Sequence, residues 1–474
     1  MRRGRSWGRS IVPLLVGLAA AVHLNAAEKS PAVEVLINDA AAVPAEFAAD
    51  LFIRIASSPN LHDRTRKREL LENAFMRAYG AQESFKRAAP AAPIDTQAGG
   101  IARAYATGLD TLTLQLRAIA GLASVDAALA RELFDGVSFY QPPATCDSPL
   151  VPVADEYYGT LATIARRTFE NTAEGHAAAL RFFEIYLWRA HLPSEVSAVV
   201  RAVKAMRLSR VEAGYFEDTL NAIVDHFDTD ARGFSTYGLD IVPKMTELAD
   251  ADRVIGVLGE SLMRAERKLL VAQLKARCSD SAAETPIAES FNTIVRRRDI
   301  ALDLVAPLAN ADVRPVKVLG AAPPQWYWQT EGARRLVFAL LALRDSAAGP
   351  RSVLIKRSDE WQAAALQYLT DLELWNGAGE PIERDYFDQK SLLYDVYLNL
   401  LLKGDLRTRV VQSFADFIAR SDTGRLPRAL WFSNVKRLLE HGDVATSAME
   451  QSGHYLLTLY ARAERLLGNN RREH

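Results

Sequence analysis

Apolar side chains recur along most of this chain at the spacing of an α-helix, and that spacing leaves little room for another fold. Leu70, Leu71, Ala74, Phe75 and Ala78 fall at i, i+1, i+4, i+5 and i+8, one face of a helix. Val254, Leu258, Leu262, Ala265, Leu269 and Ala272 trace a second stripe, and Val410, Val411, Phe414, Phe417 and Ile418 a third. A half-buried strand would alternate apolar and polar residues instead. Residues 111–116 do alternate, but continuation through Ile119 puts Leu112, Leu116 and Ile119 on one helical face, so the segment reads as helix. Residues 316–319 and 353–355 are too short and isolated to build a sheet. The expected fold is all-α: stacked antiparallel helical hairpins, as an α-solenoid or a multi-helix array, with little or no β-sheet.

Start and stop signals agree with the stripes. Asn171 with Glu174 predicts a capping box, and Ser358 precedes Asp359 and Glu360 at a helix start. Gly404-Asp405 and Gly442-Asp443 each predict a glycine that ends one helix in the left-handed conformation and an aspartate that caps the next. Connections that short make neighbouring helices antiparallel. The segment from Ser124 through Val125, Asp126, Ala127, Leu129, Arg131 and Glu132 to Phe134 resembles the second helices of tetratricopeptide-type arrays. The fixed aromatic, Gly and Pro positions of that family are missing here. The resemblance therefore implies a superhelix of hairpins and no activity.

A chain of 474 residues exceeds what one core usually serves, and 49% apolar with 24% charged residues is the balance of a folded protein. Breaker-rich stretches at residues 88–100, 142–152 and 310–324 interrupt the periodicity. The last two predict helical segments over residues 28–141, 153–309 and 325–474.

The N-terminus has the layout of a secretory signal peptide over residues 1–26. Arg2, Arg3, Arg5 and Arg9 form a basic region, an apolar run follows from Ile11 to Val22, and small residues stand at Ala26 and Ala27. The run of about 12 residues is short of the roughly 20 that span a bilayer, although an uncleaved anchor is the alternative. A periplasmic or secreted location is expected, with no membrane span after cleavage. Removing the four arginines takes the formal charge from −1 to −5, which lacks the basic footprint of a nucleic-acid binder. The two cysteines, Cys146 and Cys278, would meet an oxidising compartment. A disulfide between them would stabilise the fold by about 5 kcal/mol, and the alternative is two separate thiols.

Candidate chemistry is sparse. Ala288-Glu289-Ser290-Phe291-Asn292 resembles the Glu-Ser context of lytic transglycosylases, which implies Glu289 as a general acid in an apolar cleft. The sequel Thr293 to Arg298 departs from that family, and its arginines favour the ionised carboxylate. Asp228 and Asp230 begin like a calcium loop, but Arg232 and Leu239 occupy ligand positions. Ser433 and Lys436 match Ser-x-x-Lys without its partner motifs. The histidines are scattered, no phosphate-cradling loop occurs, and no metal or cofactor is expected. Trp326, Tyr327 and Trp328 are a possible binding surface for sugar rings or a partner's apolar groups, or else alternate rings anchor a loop to the core. The basic run from Arg64 to Arg68 precedes Glu69 and Glu72, which predicts intrahelical ion pairs. These features favour an exported protein- or peptide-binding scaffold whose partner is another envelope protein or a peptide. A glycan-acting envelope enzyme is the alternative.

Overall fold

The stripe at residues 70–78 shows how the chain folds: all five of its apolar side chains are buried, on a helix whose remaining face is mostly Arg, Lys and Glu, with Met76 exposed among them. The computed structural model describes residues 31–88, 93–138, 151–169, 171–190, 195–209, 307–309, 325–378, 383–421 and 424–467, with isolated positions between 212 and 296. The first described helices are α1 (Pro31–Ala41), α2 (Ala45–Ser57), α3 (Arg64–Ala78), α4 (Gln97–Ala106), α5 (Thr111–Leu122) and α6 (Ala127–Asp135). They are followed by α7 (Asp155–Arg167), α8 (Ala173–Leu187) and α9 (Val196–Ala205). After residue 325 come α10 (Glu331–Ser346), α11 (Ser352–Lys356), α12 (Asp359–Leu374) and α13 (Glu383–Leu400). The last are α14 (Asp405–Arg420), α15 (Arg428–Leu439), α16 (Asp443–Gln451) and α17 (Tyr455–Leu467).

The fold is all-α. Among the described residues, extended pairing is confined to β1 (Arg87–Ala88) against β2 (Val151–Pro152), antiparallel, with Arg87 opposite Pro152 and Ala88 opposite Val151, and to an isolated bridge between Thr96 and Trp326. Residues 111–116 are helical, as their one-sided apolar pattern predicts, and residues 353–355 lie in α11. The stripe from residue 254 to residue 272 lies outside the described residues apart from Arg267. No described helix is long and apolar enough to cross a membrane.

Helix α2 organises the packing. Phe47, Leu51, Phe52, Ile53 and Ile55 are buried on several of its sides, and so are Glu46 and Asp50. A helix apolar all round has to be enclosed by others. Helices α1, α3, α5 and α17 pack against α2, and Phe47 sets its ring edge-on to Trp431, Phe432 and Tyr460. The first helices thus share a core with the last: α1 also meets α17, and α4 packs on α13 and α15. The multi-helix array is closed by its own ends, which an open row of hairpins is not.

Several local expectations are corrected. The cap of α8 is Thr172, whose hydroxyl accepts from Gly175 N, one residue after the predicted Asn171. Ser358 caps α12 as predicted, accepting from Trp361 N. Gly404 and Gly442 do hold positive φ, +152° and +74°, but each occupies the N-cap position of the following helix. Asp405 and Asp443 become first-turn residues, where a carboxylate faces the positive end of the helix dipole. The stretch 88–100 is not loop throughout, because α4 starts at Gln97 behind the cap Thr96 and includes Gly99 and Gly100.

The junction of the chain's two ends rests on Phe47. Phe47→Ala should cost about 3–5 kcal/mol, the range for emptying a packed aromatic site. Equilibrium urea denaturation of the two proteins measures it, and a loss below about 1 kcal/mol would show that the ends do not share one cooperative core.

Candidate binding site

The aromatic triplet is a strap over the start of α4. Gln97 N donates to Gln325 O at 3.0 Å, Tyr327 N donates to Asp95 O at 2.8 Å, and Thr96 bridges Trp326. Extended backbone alternates its side chains, so Trp326 points outward at 49% exposure while Tyr327 is buried at 5%. Trp328 is half-buried against the core, with a left-handed φ of +62°. The triplet therefore presents one exposed ring, Trp326, and is not a platform of three.

Tyr327 ends in a buried ion centre. Its hydroxyl donates to Asp388 Oδ2 at 2.9 Å, and Arg103 Nη2 donates to the same oxygen at 2.6 Å. Asp388 lies on α13 and is fully enclosed. Gln97 Nε2 donates to the neighbouring Asp385 at 3.1 Å. Gly100 explains the glycine pair that reads as a breaker: a Cβ there would collide with the Tyr327 hydroxyl and the Asp388 carboxylate. Burial, with the Asp388 charge beside it, pushes the Tyr327 phenol far above its ordinary value, so it remains a donor at any physiological pH. Burial also raises the Asp385 carboxyl, against the opposing pull of Arg384 and Gln97.

A second centre surrounds Asp50. Arg54 Nε donates to Oδ2 at 2.7 Å, the Tyr460 hydroxyl to the same oxygen at 3.3 Å, and Arg117 Nη1 to Oδ1 at 2.9 Å. Burial pushes the Asp50 carboxyl up, but Arg54, Arg117 and Lys436 outweigh it and hold it below the ordinary carboxylate range. Lys436 donates to the carbonyl of Thr107 and Ser433 to that of Leu430, so the Ser-x-x-Lys spacing joins no nucleophile to a base. Burial lowers Lys436 to about 8, and it does the same to Lys390, whose ammonium donates to the carbonyls of Glu373 and Trp375.

Both centres are filled by protein. Open space occurs instead where α2 ends, α3 begins and α5 ends. A cleft of about 490 Å³ there is lined by Ala56, Ser57, His62, Arg64, Lys67, Leu71, Gly121, Ser124 and Val125. The basic run predicted to be neutralised within α3 divides at this cleft. Arg66 pairs with Glu69 as predicted, and with Glu34 on α1; Arg68 reaches Asp126 instead. Arg64 and Lys67, three residues apart on one face, line the cleft. Arg64 Nε donates to the carbonyl of Val125 at 2.8 Å, and Lys67 has no acidic partner among the described residues. The signal in the sequence was an excess: four cations in five positions against two following acids.

Glu289 is helical and exposed, its carbonyl accepting from the Thr293 hydroxyl, so it lacks the apolar enclosure that would keep a general acid protonated. Cys146 and Cys278 lie outside the described residues, as does the stretch from Asp228 to Leu239. Among the described residues no group of three or more His, Cys, Asp or Glu could hold a metal ion.

Two outcomes follow from the ion centres. Arg103→Met leaves the enclosed Asp388 with Tyr327 as its hydrogen-bond donor and Arg437 as the remaining nearby positive charge, and should cost roughly 3 kcal/mol, the low end for breaking a buried pair because Arg103 is itself 22% exposed. Adding Asp388→Asn to Arg103→Met should recover part of that loss in urea denaturation; no recovery would mean the charge is not the cause. The lysines act with the opposite sign. Their folded values are depressed, so the unfolded chain binds more protons between pH 8 and 10, and stability should rise across that window. Lys390→Met should flatten the rise, and an unchanged slope would contradict it. No protein-family model matches this chain, and neither does any curated protein or solved structure.

Proposed function

We propose that this is an exported, non-enzymatic binding protein of the bacterial envelope, periplasmic or secreted, whose partner is another envelope protein or a peptide. The layout of residues 1–26 supports export. The observation that carries the binding role is the α2–α3–α5 cleft, because it combines open volume with two cations that pair with no carboxylate among the described residues. A basic run that served stability alone would be spent on ion pairs, as Arg66 and Arg68 are. The packing of the first described helices on the last supports this cleft, in place of a broad solenoid groove, as the binding surface. Trp326, exposed on the strap, is a second contact available to a partner.

The glycan-acting alternative rests on Glu289 and on the aromatic triplet at residues 326–328; it loses support from the exposure of the Glu289 side chain and keeps one exposed ring, Trp326. A photo-crosslinking residue at the exposed position Ser124, on the cleft, tests the reading against a control at the exposed Leu354. In envelope extracts, polypeptide adducts should form from position 124 and not from position 354, with the mature chain in the periplasmic or secreted fraction. Adducts to glycan, or release of soluble sugar fragments from purified cell wall by the unmodified chain, would overturn it.

A further inference from the structure

We propose that the α2–α3–α5 cleft receives the C-terminal end of a peptide chain, with Arg64 and Lys67 holding its terminal carboxylate; the proposal rests on the binding-protein reading and makes it specific. The lining carries three kinds of group, and a peptide terminus has a counterpart for each.

The first is positive charge without a match. Lys67 has no acidic partner among the described residues, and Arg64 spends Nε and one N–H of Nη2 on the Val125 carbonyl. The other N–H groups of that guanidinium remain to donate, since it carries five. Lys67 is half-buried on the wall of the cleft. His62, exposed beside them, adds no negative charge.

The second is a pair of acceptors. Ser57 donates its hydroxyl proton to the carbonyl of Ile53 at 2.7 Å, and Ser124 donates to Gly121 at 2.8 Å. With their protons committed, both oxygens offer lone pairs, which suit amide N–H groups and repel an anion's oxygen. An inorganic anion has no donor to place there; a peptide has one N–H per residue. The third is the apolar wall of Ala56, Leu71 and Val125, which suits an aliphatic side chain. The volume of about 490 Å³ falls within the roughly 300–1,000 Å³ typical of small-ligand sites.

Calorimetric titration of the mature full-length chain with the tripeptide Ala-Ala-Leu decides the matter. The free acid should bind, and its C-terminal amide should bind at least ten-fold more weakly. Lys67→Gln should bring the free acid down to the level of the amide. Because the Lys67 side chain makes no hydrogen bond or ion pair among the described residues, the circular dichroism spectrum and Tm of that variant should match the parent. Raising the salt to 0.5 M should weaken the free acid and leave the amide unchanged. Equal affinity for acid and amide, inorganic phosphate binding as tightly as the tripeptide, or no binding of either tripeptide would each overturn the proposal. Polypeptide adducts at Ser124 alongside equal acid and amide affinity would sink this inference and leave the broader binding role standing.

Discussion

Two carboxylates on a helix that is enclosed by its neighbours set the terms for everything packed around it. Glu46 and Asp50 stand one turn apart on α2, almost without solvent. A buried carboxylate that loses its partners costs several kcal/mol, and an apolar neighbour cannot replace them. The partners come from separate elements: Arg54 from α2 itself, Arg117 from α5, Arg428 from α15 and the Tyr460 hydroxyl from α17. The hydrophobic effect that buries Phe47 and Leu51 is itself non-directional. The bond of a guanidinium that must meet an oxygen within about 3 Å is directional. The oily contacts thus hold the helices together, and the ions fix their register.

Helix α15 carries this logic across the molecule. Arg428 reaches Glu46, Lys436 lies near Asp50 and donates to the end of α4, and Arg437 approaches Asp395 on α13 at 3.6 Å. Beyond its end, His441 is held between Arg407 and that same aspartate. An arginine can only donate, so Nδ1 of His441 must accept from Arg407, and the neutral ring carries its proton on Nε2, facing Asp395. Asp388, Arg103 and Tyr327 repeat the arrangement between α4, α13 and the strap. A cleft open to a ligand lies outside these centres, at three helix termini.

The helices were legible because their signal is local. The stripes at residues 70–78 and 410–418 occupy the buried faces of α3 and α14, and the rejection of a strand at residues 111–116 follows from one added turn of pattern. What the sequence hid depends on which helices meet. Gly99 and Gly100 read as breakers, whereas Gly100 is there to let Tyr327 and Asp388 approach α4. No spacing relates Arg103 to a carboxylate 285 residues away, or Asp50 to a hydroxyl 410 residues away. For the triplet at residues 326–328 the sequence left two readings open; strap geometry realises the anchoring one for Tyr327 and leaves Trp326 free. For the cleft the surplus of cations over following acids was visible, but the acids that neutralise Arg66 and Arg68 include Glu34 and Asp126, on other elements. Only their placement shows which two positive charges are left over among the described residues.

The meeting of the chain's ends carries a cost in time. Asp39 is bonded to Tyr455 and Arg462, more than 400 residues downstream, and Asn60 to Leu466. A polypeptide that emerges from its N-terminus, whether off a ribosome or through a secretory pore, displays the faces of α1 and α2 long before α17 exists to cover them. Contacts that close so large a loop form slowly, and the waiting segment is prone to aggregate. Such a chain leaves the apolar faces of its opening helices uncovered until nearly all of it has been delivered.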